Sequence, residues 1–239
     1  MLESLLGDNF VGFYFLMRWL HVFWGIVWIG HLYYFNFCQG AFMNETDAGA
    51  KSQVMQKLAP RALWWFRWGA MWTFVTGAIM LSIRGHQDAS TGVEHVFSTP
   101  FWINILTGAL MATLMFLNVW LIIWPKQKIL IANAVAVAGG GAPNPAVAAA
   151  AARAGVASRT NVLFSIPMLM FMLGASHLGF GVDDGSNVTM YWVLTLLLVG
   201  GIQANAMWGK NGPMASIKGV ITCGFVLTAV FVVLNSILI

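Results

Sequence analysis

Charge is what this sequence has least of. Of 239 residues only 8% are Asp, Glu, Lys or Arg, while 59% are hydrophobic. A soluble domain carries about 25% charged residues, so the shortage excludes a soluble enzyme and argues against a nucleic-acid partner; the chain reads as an integral membrane protein. Cysteine is scarce too. Cys38 and Cys223 lie far apart and outside any CxxC or CxxCH pattern, which removes zinc, iron-sulfur and c-type haem sites and leaves two small apolar residues. Glu3 and Asp8 stand where a basic leader would be, and no small-residue cleavage site follows, so no removable signal peptide is expected. Short alternating runs are missing, which argues against a closed barrel. No internal repeat of the transporter kind stands out.

What is present is oil in long runs. Crossing about 30 Å of hydrocarbon takes about 20 residues at 1.5 Å each, and six stretches qualify, near 11–37, 62–83, 101–124, 160–180, 190–208 and 216–238. The expected fold is all-α, a six-helix membrane bundle forming one domain over residues 1–239. Pro60, Thr99 with Pro100, and Pro125 punctuate span ends. Lys51, Lys57, Arg61, Lys126, Lys128, Arg153, Arg159, Lys210 and Lys218 fall beside alternate connections. The other side holds Arg84 with Glu3, Asp8, Asp88, Glu94, Asp183 and Asp184. By the positive-inside rule both termini face away from the cytoplasm, which in a bacterial inner membrane is the periplasm. The long connection 125–159 is then cytoplasmic, and its alanine-rich part is either a surface helix or a slack linker.

Orientation fixes depth. Arg18 and His21 fall in the outer half of the first span and His31 about 15 Å further in, so one site cannot use both histidines. The fourth span runs the opposite way and brings His177 to a depth comparable with His21. Arg18 lies one turn above His21 on the same face. Two imidazoles from different helices with a guanidinium near the interface suit haem b, as axial ligands and a propionate partner. Gly25, Gly174 and Gly179 would leave room for a flat macrocycle. The twelve tryptophans fit such a pocket, and interfacial belts explain many of them equally well. His21, His177, Arg18 and Gly25 are therefore the candidate cofactor residues, with both histidines on the haem iron. Interhelical hydrogen bonding, or a substrate, metal or proton site, stay open as alternatives.

His31 is expected to be structural or to join Arg67, Asn36 and Tyr33 in a polar cluster. His86 and His95, with Asp88 and Glu94, lack metal-ligand spacing. Arg67 is expected to snorkel, Pro167 to kink the fourth helix and free the carbonyl of Leu163, and Asn104, Asn118, Gln203 and Asn205 to bond between helices.

"RWLHVFWGIVWIGHLYYFNF" and "WWFRWGAMWTFVTGAIML" resemble the opening helices of the membrane domain of bacterial cytochrome c-linked urate hydroxylases. The likeness is strongest over residues 16–81 and weaker through "WPKQK" and the fourth span. Its matches are Arg18, Trp19, His21, Trp28, Gly30, Trp65, Phe66, Arg67, Trp68 and Gly77; His31 is outside the motif. The resemblance implies a membrane oxidoreductase that hydroxylates urate and passes electrons to a cytochrome c domain. Because the sequence stops at Ile239, a separate c-type cytochrome or other membrane subunit is expected as acceptor, with a homo-oligomer open. The competing expectation is a non-catalytic structural subunit of a larger respiratory or oxidative complex. A transporter ranks last, for want of intramembrane carboxylates and paired broken helices.

Overall fold

The computed structural model describes residues 11–90, 92, 98–178, 182 and 185–239. Among them there is no strand; the chain is an all-α membrane bundle. Helix α1 (Val11–Tyr33) runs through a π-helical turn (Tyr34–Gln39) into α2 (Gly40–Glu45). Asp47 then opens α3 (Ala48–Gln53), accepting from the Gly49 and Ala50 amides at 2.7 and 3.0 Å, as an N-cap carboxylate does. A second π turn (Val54–Leu58) leads into α4 (Ala59–Ser90). Helix α5 (Pro100–Leu117), a third π turn (Asn118–Ile123) and α6 (Trp124–Ala138) form one continuous run. Helices α7 (Val147–His177), α8 (Val188–Trp208) and α9 (Ile217–Leu238) complete the bundle. Asn187 caps α8 through Met190 N at 3.0 Å, and Ser216 caps α9 through Gly219 N at 3.0 Å.

Five helical runs are long and apolar enough to cross a membrane: Val11–Glu45, Pro100–Ala138, Val147–His177, Val188–Trp208 and Ile217–Leu238. The expected second span lies in α4, 32 residues long. It is not among the five; Arg67 lies within its apolar stretch, and Arg61, Arg84 and Asp88 flank it. It nonetheless lies antiparallel along α1.

Two expected ends move. Pro125 does not close its span. It sits in the first turn of α6, where the preceding π turn has already shifted the hydrogen-bond pairing, so the missing proline N–H is not demanded. The 125–159 stretch is likewise no loop, for α6 runs to Ala138 and α7 starts at Val147. The alanine run is the first part of α7, since alanine propagates an existing helix more readily than it starts a separate one. The turn between them needs Gly140, whose φ is +84°.

The chain thus has two faces. A terminal face gathers residues 11, 90, 100, 177, 188 and 238. There Asn187 N donates to Leu238 O at 2.7 Å, and Asp88 accepts from Arg84 Nε at 2.9 Å and Trp102 Nε1 at 2.8 Å. A loop face gathers 34–58, 124–146 and 209–216. There Arg153 donates to the Ala206 and Met207 carbonyls and Arg159 Nε to Met214 O at 3.0 Å. Helix α7 is central, with Val162, Leu163, Phe164 and Phe171 buried between α5 and α9. Pro167 lies inside it. The Leu163 carbonyl that a proline there leaves without its amide is at 3.0 Å from where a Cβ on Gly224 of α9 would sit. The glycine lets α9 close over the irregularity.

Candidate functional site

The expected site residues lie on the terminal-face halves of α1 and α7. Along α1, positions 21, 25 and 28 share one face, and the structure lays that face on α4. A Cβ on Gly69 would be 3.0 Å from Trp28 N, and one on Gly77 would be 3.0 Å from His21 Cε1. Glycine at 77 is what admits the imidazole between the two helices. His21 Nδ1 lies 2.8 Å from Thr73 O and 3.3 Å from Thr76 Oγ1. A carbonyl only accepts, so Nδ1 carries the proton and Nε2 is left as a bare acceptor. The Thr76 hydroxyl sends its own proton to Trp72 O at 2.6 Å, which turns its oxygen toward His21.

His177, the last residue of α7, is exposed, and its Nδ1 lies 2.9 Å from Leu173 O. The same reasoning protonates Nδ1 and frees Nε2. Thus both histidines adopt the tautomer that metal-bound imidazoles commonly show, with the far nitrogen held by a carbonyl. Their levels can be compared through a cross-link nearer the loop face, where Tyr33 OH meets Ser165 Oγ at 2.9 Å. Twelve residues from Tyr33 back to His21, and twelve from Ser165 on to His177, each rise about 18 Å toward the terminal face. No hydrogen bond or ring contact joins the two histidines themselves. Arg18, one turn from His21 on the terminal side, is exposed and lies 5.2 Å over the Tyr14 ring. Among the described residues it forms no ion pair. Gly25 faces Thr73, whose Cγ2 would be 3.9 Å from an added Cβ, an ordinary contact. Gly174 is closed over by Leu178, at 3.0 Å from an added Cβ; Gly179 lies outside the described residues.

The polar cluster expected around His31 is divided. Tyr33 and Asn36 reach α7, Asn36 Nδ2 donating to Ser158 Oγ at 2.8 Å. His31 turns back to Val27 O at 2.7 Å, and Arg67 packs on Trp124. His86 is exposed, while His95 and Glu94 fall outside the described residues. Among the described residues no three of His, Cys, Asp and Glu gather as metal ligands. The expected interhelical amides do bond. Asn118 and Gln203 pair reciprocally at 3.2 and 2.8 Å, and Asn104 accepts from Asn235 at 3.2 Å. Asn205 instead reaches Met214 Sδ at 3.4 Å.

Sequence reasoning missed Thr73, Thr76 and Gly77 as the cradle of His21. Threonines at 73 and 76 and a glycine at 77, facing a histidine on an antiparallel neighbour, were the available signal. It also missed Asn161 and Asn235, and the buried Thr107–Tyr191 bond of 2.9 Å. Among the tryptophans only Trp28 and Trp102 are buried, whereas Trp19, Trp64, Trp65, Trp72 and Trp208 are exposed, so those five face outward from the bundle.

A family model described as urate oxidase N-terminal matches residues 87–236, well over half of the chain. It begins at the end of α4 and takes in α5 to α9, so it includes His177 and leaves Arg18, His21 and the 16–81 likeness outside. No curated protein and no solved structure matches the chain.

Proposed function

The chain belongs to the urate oxidase N-terminal family, and from that premise we propose that it is the membrane-embedded redox part of a urate-hydroxylating oxidoreductase, holding haem b and passing electrons to a separate c-type cytochrome. The observation that carries the reading is the shared tautomer. His21 and His177 each commit Nδ1–H to a carbonyl, which leaves two Nε2 lone pairs on oppositely directed helices, each about 18 Å along its helix from the Tyr33–Ser165 bond. Two such imidazoles would be the ligands a haem iron takes from a membrane bundle.

His21 and His177 would hold the haem iron through Nε2. Thr73 and Thr76 fix the orientation of the His21 ring, as an outer-shell acceptor does for a ligating imidazole. Gly77 keeps α4 clear of it. Arg18, one turn nearer the terminal face and without a carboxylate partner among the described residues, would hold a propionate. When bound, the haem supplies a one-electron relay near that face. The membrane is the bacterial inner membrane, with the terminal face toward the periplasm; the cations at the loop face support that direction.

The full chain, produced with haem precursors and purified in detergent, is expected to show a Soret band. His21→Ala is expected to abolish it while far-ultraviolet circular dichroism stays helical. A colourless wild-type protein, or His21→Ala and His177→Ala proteins that both keep the band, overturns the assignment. The colourless outcome would favour the structural-subunit reading, which has one observation of its own: the His21–Thr73 bond already straps α1 to α4 without any cofactor.

A further inference from the structure

We propose that Arg67, Trp124 and Lys128 form a seat for one anionic glycerophospholipid, whose phosphate lies between the two cations at the loop face. The guanidinium carbon of Arg67 is 3.8 Å over the Trp124 ring, and Lys128 Nζ is 5.8 Å from the same ring centre. Two cationic heads therefore share one indole. Neither has a carboxylate: the ion pair among the described residues is Arg84–Asp88, at the opposite face. Among the described residues no protein acceptor takes a hydrogen bond from Arg67, although a guanidinium carries five N–H donors arranged for oxyanions.

The level is that of a headgroup. Helices α4 and α5 hold an antiparallel register from Asp88 with Trp102, through Phe74 stacked on Phe116 at 4.4 Å, to Trp68 edge-on to Trp120 at 5.8 Å. Arg67 and Trp124 continue that register. Trp124 lies about 36 Å along the helix from Pro100, just beyond the roughly 30 Å hydrocarbon thickness. Around it the loop face also carries Lys57, Arg61 and Lys126, and among the described residues only Glu45 and Asp47 oppose them there. Such a face draws anionic lipid, at about 1 kcal/mol or fivefold in occupancy for each cation at the surface.

A lipid fits better than a free phosphate because of what adjoins the cations. Trp64, 45% exposed, and Trp68, with ring centres 6.3 Å apart, offer an apolar wall to an acyl chain. This seat does not depend on the haem proposal.

The test uses the full chain in detergent after delipidation, titrated with phosphatidylglycerol, phosphatidylcholine or inorganic phosphate, and read by thermal unfolding and native mass spectrometry. Phosphatidylglycerol is expected to raise the unfolding midpoint and to persist as one bound lipid, and the other two to do neither. Lys128→Gln is expected to weaken retention about fivefold, and Arg67→Gln at least as much. Equal stabilisation by phosphatidylcholine would mean a non-specific annulus, and equal stabilisation by inorganic phosphate a soluble-anion site; either overturns the proposal. If Arg67→Gln fails to fold, the exposed Lys128 decides, and unchanged retention in Lys128→Gln sinks the seat.

Discussion

Single residues in this chain are set by where a proton can go. His21, His31 and His177 each place Nδ1 on a backbone carbonyl, yet only His21 does so across a helix boundary, which separates a strap between helices from a local turn. Asp47 shows the same logic at an exposed site. The Ala50 and Gly49 amides hold its carboxyl below the usual carboxylate range. A depressed folded pKa means the cap is present above the unfolded value of about 3.9 and is lost as pH falls through the folded one. The Gly49 and Ala50 amide shifts are therefore expected to titrate together below about pH 4, and in Asp47→Asn to stay flat. Titration of these amides near neutral pH would disprove the cap. The position of His21 and His177 along their helices can be counted in the sequence because a fixed rise per residue turns numbering into height. Thr73 and Gly77 were not legible as partners, because nothing local says which face of α4 meets α1.

At the scale of elements, close approach governs. Trp28 N and Cα and Val27 Cγ1 would lie 3.0–3.2 Å from a Cβ on Gly69, so two backbones, which cannot yield as a flexible side chain does, would have to separate. Gly69→Ala is expected to cost about 1–3 kcal/mol, seen as a lower unfolding midpoint. Gly200, on α8, has no atom within 4 Å of an added Cβ. There alanine is expected to be neutral or to stabilise by up to about 1 kcal/mol through helix propensity. Equal effects at the two positions would show that helix propensity, not the α1–α4 contact, decides. The helices themselves were legible from apolar run length, and their ends less so. Pro125 and the alanine run at 148–152 misdirect a local reading, because a π turn before the one and an established helix after the other change what each residue does.

Across the whole molecule, the middle of the bundle beyond the α1–α4 pair is joined by buried amides, while the charged contacts of Asp88, Arg153 and Arg159 lie toward its two faces. Asn118 Nδ2 donates to Asn161 Oδ1 at 2.9 Å while Asn118 and Gln203 exchange bonds, and Asn161 Nδ2 reaches Met115 O at 2.9 Å. Three helical runs thus meet at one π turn, all but Gln203 fully buried. Such bonds in membranes average about 0.6 kcal/mol and reach about 1.7, since the separated helices also find partners. Buried reciprocal pairing puts Asn118 and Gln203 toward the upper part of that range. The cycle of Asn118→Ala, Gln203→Ala and the double variant is therefore expected to give a coupling of about 1–1.7 kcal/mol. Pairing Asn118→Ala with Asn235→Ala, whose partner Asn104 lies toward the other end of α5, should instead be additive within about 0.5 kcal/mol. A coupling near zero in the first cycle would mean that apolar packing around α7 alone holds the bundle, and the amides merely tolerate burial.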